Sequence, residues 1–544
     1  MSHATASSAQ PRTSGQPVWA LVVIPGLALS IGWGIRGNFG HEHGAMIPGA
    51  LAAMAAALVT DRSDWHRRVA FFGLFGGIGW AFGGSMSYGQ VLGYTHCGDP
   101  PNVLYGFASL YLIGFLWAAM GGIGTALPAY LDRERLTALL PPLLWFFGAL
   151  TVHDLTYDGL NVWLAQRSSI RLTGGPEYRH EEPLYWFDSD WTTALIGVAV
   201  PLVYMLGRRR RDHASALMLH IAVGWWIGFL LLPVALGWRM TPPRGDNWAG
   251  CLGAVCGAFV FLQCHDLVGV TRSGLVAGFV GGVGFPLATA VQILGVKTGW
   301  VTNWHSVMEQ TYGLINGVGI GLAMAGAARD AAPVSDAPPV RRWSDWLAPA
   351  AVLVGITYLN ARKNPEEWVK AGAFPPGLYW LSTMTWFNIG AFIVAAGVVV
   401  LLIRHMRKPL SLMPSTWEGR GLLLFVAFLS AVVVMNFERA LVGFREQRLI
   451  TEGIILVNAT VTSVLIACWS GTVHALRRGG APSRGLAQTV AMGLTGGVLC
   501  CLVCLGTVMA AYGTKPIEFR KPSYRFGARA RMVRPAPLPG QPHP

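Results

Sequence analysis

The densest group of chemically versatile side chains is Arg36-Gly37-Asn38-Phe39-Gly40-His41-Glu42-His43-Gly44. A guanidinium, a carboxylate and two imidazoles stand here beside glycines that permit tight backbone and leave amides open to an anion or other polar group. Histidine exchanges protons near neutral pH, and Glu42 can pair with Arg36. Arg36, His41, Glu42 and His43 are therefore the first candidates for recognising a polar or ionic solute. A metal on His41 and His43 is the less economical reading. Side chains two residues apart do not share a helical face, and the pattern lacks the spacing of a His-Glu-x-x-His helix. No metal and no cofactor is implied.

Other polar residues interrupt apolar runs. Ser85, Tyr88 and Gln90 close one run, Gln292 lies in another, and Glu309, Gln310, Tyr312 and Asn316 open a third. Such groups either join helices or line a cavity. Gln90 and Gln292 stand out as a pair, because Gln90-Val91-Leu92-Gly93 is echoed by Gln292-Ile293-Leu294-Gly295. Asp61, Arg67, Asp266 and Arg272 are candidates for gating ion bridges at the inner face, with His265 able to add proton sensitivity. The plainer reading of these charges is helix ends and topology. The stretch from His153 to Trp191 mixes aromatics with carboxylates, as a lid or an acidic catalytic loop would. An interfacial segment would look the same.

The elements that hold these residues follow from composition. Of 544 residues, 53% are hydrophobic and 12% charged, so apolar runs long enough to cross a bilayer recur along the chain. The expected fold is an all-α polytopic integral membrane protein with about 14–15 transmembrane helices. Residues 45–60 and 344–360 are short for a straight crossing and are expected to be re-entrant or broken. The net charge of +14 comes mainly from short basic clusters between apolar runs, the signature of cytoplasmic loops, and implies no nucleic-acid partner. Most of the eight cysteines lie inside apolar segments, which argues against a disulfide framework.

Residues 1–17 read as a disordered polar tail before a retained first helix. Asp61, Arg67, Gly73, Gly76, Gly77 and Gly79 recur 205 residues later as Asp266, Arg272, Gly278, Gly281, Gly282 and Gly284. Arg36-Gly37 has a looser counterpart in Arg244-Gly245. This spacing predicts a parallel internal duplication: a first repeat over 18–212 with an outer loop at 153–190, a second over 213–403, accessory helices over 404–512 and a basic, Pro-rich disordered tail over 513–544. Two six-helix halves, with Asp and Arg after the second and eighth helices, resemble the plan of the major facilitator transporters. That resemblance implies a pseudo-two-fold axis along the membrane normal and alternating access.

The expectation is a permease of the cell (inner) membrane that moves a small polar solute through the lipid bilayer, with protons as a coupling ion. The alternatives are a membrane-embedded transferase or hydrolase with an outward site at His41-Glu42-His43 and the 153–190 loop, or a non-catalytic scaffold.

Overall fold

Alanine and glycine dominate the central helices, and that sets how closely they pack. Helix α1 (Ala20–Arg36) leads into α2 (Glu42–Val59), where the run from Gly49 to Ala57 combines the best helix former with side chains too small to hold neighbours away. Every residue of α2 from Gly44 onward is buried. A Cβ on Gly32 of α1 would overlap Pro48 of α2. After a single turn, α3 (Ser63–His66), comes α4 (Val69–Ala81), where a Cβ on Gly76 would run into Ala53 and Gly49 of α2.

A 3₁₀ turn over Phe82–Ser85 then redirects the chain into α5 (Gly89–Thr95), bent by more than 40° from α4. Small residues are required at this turn, because side chains on Gly83 and Gly84 would collide with the Trp117 indole and the Glu42 backbone. There follow α6 (Pro100–Tyr130), α7 (Arg133–Arg167), α8 (Ser189–Arg208), α9 (His213–Phe229) with a π-helical extension to Ala235, α10 (Asn247–Cys264), α11 (Val268–Lys297) and α12 (Trp304–Asp330). The last third contains α13 (Ser344–Ala350), a π-helical turn, α14 (Thr357–Ala361) and α15 (Asn364–Lys370). A short hairpin pairs β1 (Gly377–Leu378) with β2 (Leu381–Ser382), and α16 (Thr383–Arg407), α17 (Trp417–Val442), α18 (Glu446–Trp469) and α19 (Leu486–Tyr512) complete the chain.

This computed structural model describes residues 19–86, 88–167, 189–209, 212–242, 247–334, 343–443, 446–473 and 485–533. The 1–17 tail, Arg244-Gly245, residues 168–188 of the outer loop and the tail beyond 533 lie outside the described residues. Among the described residues, twelve helices are long and apolar enough to cross a membrane, or up to 13 if the bent α4–α5 pair is one span. The chain is a multi-pass membrane protein. The count falls below the expected 14–15 for two reasons. Helix α1 has only 17 residues, and the 344–360 run is broken by its π turn. Residues 45–60, also expected to be short or broken, belong to the continuous 18-residue α2.

Helices α1, α2, α4, α6, α11 and α12 form the inner bundle: α1 packs on α2 and α12, α2 on α4, α4 on α6, and α6 along α11. Outside it, α9 and α10 meet through Gly224, Gly228 and Gly253. Helix α16 stands apart, with no buried residue in its most apolar stretch. A 205-residue shift carries the bounds of α2 onto those of α10 residue for residue. Their neighbours nevertheless differ. Gly76 packs on α2, whereas its counterpart Gly281 packs on Ala118 and Gly114 of α6.

Candidate functional site

Arg36 ends α1 inside the inner bundle, 1% exposed, and its position makes it the centre of a polar cluster. Its Nη1 donates to Glu309 Oε1 on α12 at 2.9 Å and to the Tyr88 hydroxyl at 3.1 Å, and Tyr88 in turn donates to the same Glu309 oxygen at 3.0 Å. The guanidinium lies over three rings: Trp33 (5.0 Å), Trp117 (5.1 Å) and Tyr88 (5.7 Å). Desolvated cation–π contacts of this kind offset part of the cost of burying the charge. Trp33 also meets Trp80, Trp117 and Tyr312 edge to face, so the floor under Arg36 is an aromatic box. A side chain on Gly37 would overlap the Glu309 carboxylate, so the pair closes only over glycine.

The loop that follows is clamped from the last third of the chain. Gly40 takes a φ of +94°, a conformation in which only glycine is unstrained, and Lys363 reaches over it to donate to Phe39 O. Asn38 donates to Asn436 of α17 at 2.7 Å, and Asn360 of α14 donates to His43 O at 3.1 Å. Arg36 Nη2 donates to His41 Nδ1, which fixes the imidazole as a neutral acceptor with its proton on Nε2. Burial, reinforced by the Arg36 charge, pushes His41 down to about 4, in keeping with that role. Its ring keeps one face exposed even so. Glu42 is exposed beside it, and His43 is half-buried against α14. The structure thus brings Arg36 and His41 into one cluster and leaves Glu42 and His43 on its rim.

The two glutamines take different places. Gln90 is exposed on α5, while Gln292 on α11 is fully buried and neither of its amide atoms has a hydrogen-bond partner. Phe285, Thr289 and Gln292 share one face of α11 by helical spacing. Phe285 directs that face at Tyr88 (5.0 Å) and Tyr312 (4.4 Å). Thr289 Oγ1 and Arg36 Nε are buried without partners as well. Buried groups in this condition cost about 1–3 kcal/mol each and are uncommon in native structures.

The start of the 513–544 tail, expected to be disordered, instead folds back over this end of the bundle, because backbone groups of α5 and the loop after it give it hydrogen-bond partners. Ile517 N donates to His96 O (2.8 Å), Ser523 N to Gly93 O (3.0 Å), Arg520 Nη1 to Gly89 O (3.2 Å) and Phe526 N to Asn102 Oδ1 (2.9 Å). The Arg520 charge acts on Tyr88 and Glu309, while its own burial holds it below the ordinary arginine value.

Charges at the opposite end form a second network. Asp64 holds Arg62 through two contacts of 2.7 and 2.8 Å and Arg68 at 2.8 Å. Arg62 donates to Ala331 O past the end of α12, and Arg68 donates to Pro128 O and Leu131 O at the end of α6. Guanidinium groups thereby cap carbonyls that the helices leave unpaired. Of the expected gate residues, Arg272 pairs with Asp330 at 2.8 Å. Asp61 N donates to Val473 O, Arg67 is exposed, and Asp266 is exposed with a φ of +57°. The ion pairs at this end thus include Arg272–Asp330 from the expected set and, close in sequence to Asp61 and Arg67, the Arg62–Asp64–Arg68 network.

Sequence reasoning marked Tyr88 and Glu309 as polar residues in apolar runs but had no signal joining them to Arg36, 273 positions from Glu309 in the chain. Arg520 stood out only as one of the charges of the basic tail. His153 bonds Thr192 at 2.8 Å and lies beside Asp154. Among the described residues, no group of three or more His, Cys, Asp or Glu side chains is arranged to hold a metal ion. Compared with protein families, curated proteins and solved structures, the chain matches none, and the reading of its site rests on its own geometry.

Proposed function

We propose that the protein is a permease for a small polar solute, with Arg36, Tyr88, Glu309 and Gln292 as its binding determinants. The observation that carries this reading is the buried, unpartnered amide of Gln292, on the α11 face that meets Tyr88. Cation, carboxylate, amide and aromatic walls together match a solute that carries both hydrogen-bond donors and acceptors. Buried ion pairs are weak stabilisers and costly inside a membrane bundle, which favours a functional reason for Arg36 and Glu309. His305 Nε2 lies 3.7 Å from Glu309, beyond hydrogen-bond reach but close enough for a protonated imidazole to attract the carboxylate, and this supports proton coupling. The coincidence of the α2 and α10 bounds under the 205-residue shift supports a duplicated origin, and the Arg62–Asp64–Arg68 network supplies a gate for alternating access. A cell (inner) membrane setting fits the basic clusters gathered at that end.

The test is uptake into proteoliposomes from a panel of small polar solutes, with and without an inward proton gradient. A transported solute is expected, with uptake lost in Glu309→Gln while the protein still elutes as a folded species. If no solute exchanges, or if Glu309→Gln transports normally, the proposal fails.

A further inference from the structure

A cavity of about 280 Å³ opens at the end of the bundle that carries the Arg62–Asp64–Arg68 network. It exists because α16 leans on the bundle chiefly through α13 and α15 and leaves a gap to α4 and α17. The walls of the gap are apolar, made by Phe71, Leu353, Leu401, Leu402 and Leu424. At its mouth stand Arg67, Arg133, Arg420 and His405, with Asp345 the one acid. Arg133 is paired with Asp345 and packs over Trp417 at 5.2 Å. Arg420 lies on the same indole at 5.1 Å, and among the described residues no carboxylate pairs with Arg420 or Arg67.

His405 gives the independent pointer to a ligand. It is 6% exposed, and its Nδ1 accepts from Leu410 N at 3.1 Å, so the neutral ring carries its proton on Nε2. That Nε2 is buried with no hydrogen bond of normal geometry, the Pro414 carbonyl being the nearby protein acceptor, and His405 lines the cavity. A donor held in this way beside two uncompensated arginines calls for an anionic acceptor. The apolar slot behind it is of a size for a segment of acyl chain. One molecule combines the two: a membrane lipid with an acidic head.

We infer that this cavity binds an anionic phospholipid. One acyl chain lies between α16 and the α4–α17 wall, and the phosphodiester is held by Arg67, Arg420 and the His405 Nε2–H. The lipid fills the gap that α16 leaves and ties that helix to the bundle, independently of any transport reading.

The experiment uses the full chain, purified in mild detergent, exposed to equimolar dioleoyl phosphatidylglycerol and dioleoyl phosphatidylcholine, and read by native mass spectrometry. Wild-type protein should retain one phosphatidylglycerol with about tenfold or greater preference, as two arginines at headgroup depth provide. The double variant R67Q/R420Q should bring the two lipids close to parity. Leu402→Trp, which blocks the slot without changing charge, should reduce retention of both. Equal retention of the two lipids by wild-type protein overturns the inference, whatever the variants do. So does full displacement of phosphatidylglycerol by millimolar inorganic phosphate, which would identify the site as one for a soluble anion.

Discussion

Replacing Gln292 with leucine separates a ligand-binding amide from a structural one. Gln292 is fully buried, and both its amide oxygen and nitrogen lack partners. Two unsatisfied groups cost about 2–6 kcal/mol together, and leucine of similar size removes that cost against a shape penalty of about 1 kcal/mol. Gln292→Leu should therefore stabilise the protein by about 1–5 kcal/mol, seen as a higher apparent melting temperature in detergent. The same change removes hydrogen bonds to the solute of about 1–2 kcal/mol, equivalent to a roughly five- to thirtyfold higher KM for uptake. A gain in stability combined with a loss of function is what a binding residue held unsatisfied in the resting protein produces. A structural amide gives the opposite pattern, and a melting temperature several degrees lower with unchanged KM would refute the reasoning.

Asp64→Asn leaves Arg62 and Arg68 without their shared carboxylate and should cost about 3 kcal/mol, measured as a lower unfolding midpoint in denaturant. Burial alone would raise the Asp64 value, but its bonds to Arg62 and the charges of Arg62 and Arg68 hold it below the ordinary 3.8. Its contribution is therefore complete above pH 4 and disappears as pH falls through the lowered value, a loss the variant should not show. Burial pushes His96, under the folded-back segment, down to about 4. The unfolded chain then binds the extra proton between about pH 6.5 and 4, so stability falls by up to about 3 kcal/mol as pH drops through that window. Amide exchange at Ile517 and Ser523 should quicken over the same range, and His96→Gln should flatten the dependence; equal profiles for the two proteins would count against it.

The broad architecture was readable because a bilayer imposes long apolar helices, and the polar loop from Arg36 to His43 was readable because such groups are rare between membrane spans. The loop's true partners were not. Glu309, Lys363 and Asn436 reach it from three distant segments, and no local pattern encodes which helices become neighbours. The last third looked accessory because it has no polar cluster of its own, yet its scattered asparagines and Lys363 clamp that loop. Glycine spacing was legible as a pattern but ambiguous in meaning. The same residue type serves α2–α4 contact at Gly76 and α6–α11 contact at Gly281, since any close helix crossing selects small side chains.

The segment from Lys515 to Phe526 bonds to backbone groups of α5 and His96 and to the Asn102 side chain at the start of α6, more than 400 residues earlier in the chain. Synthesis runs from the N-terminus, so helices α5 and α6 enter the membrane long before their cover is made. Throughout that interval the Gly89–Asn102 surface stays open, and a ribosome paused anywhere before residue 526 holds a bundle whose cover is unfinished. Assembly of this end is therefore completed only after residues 515–526 have been made, the last step in closing the bundle.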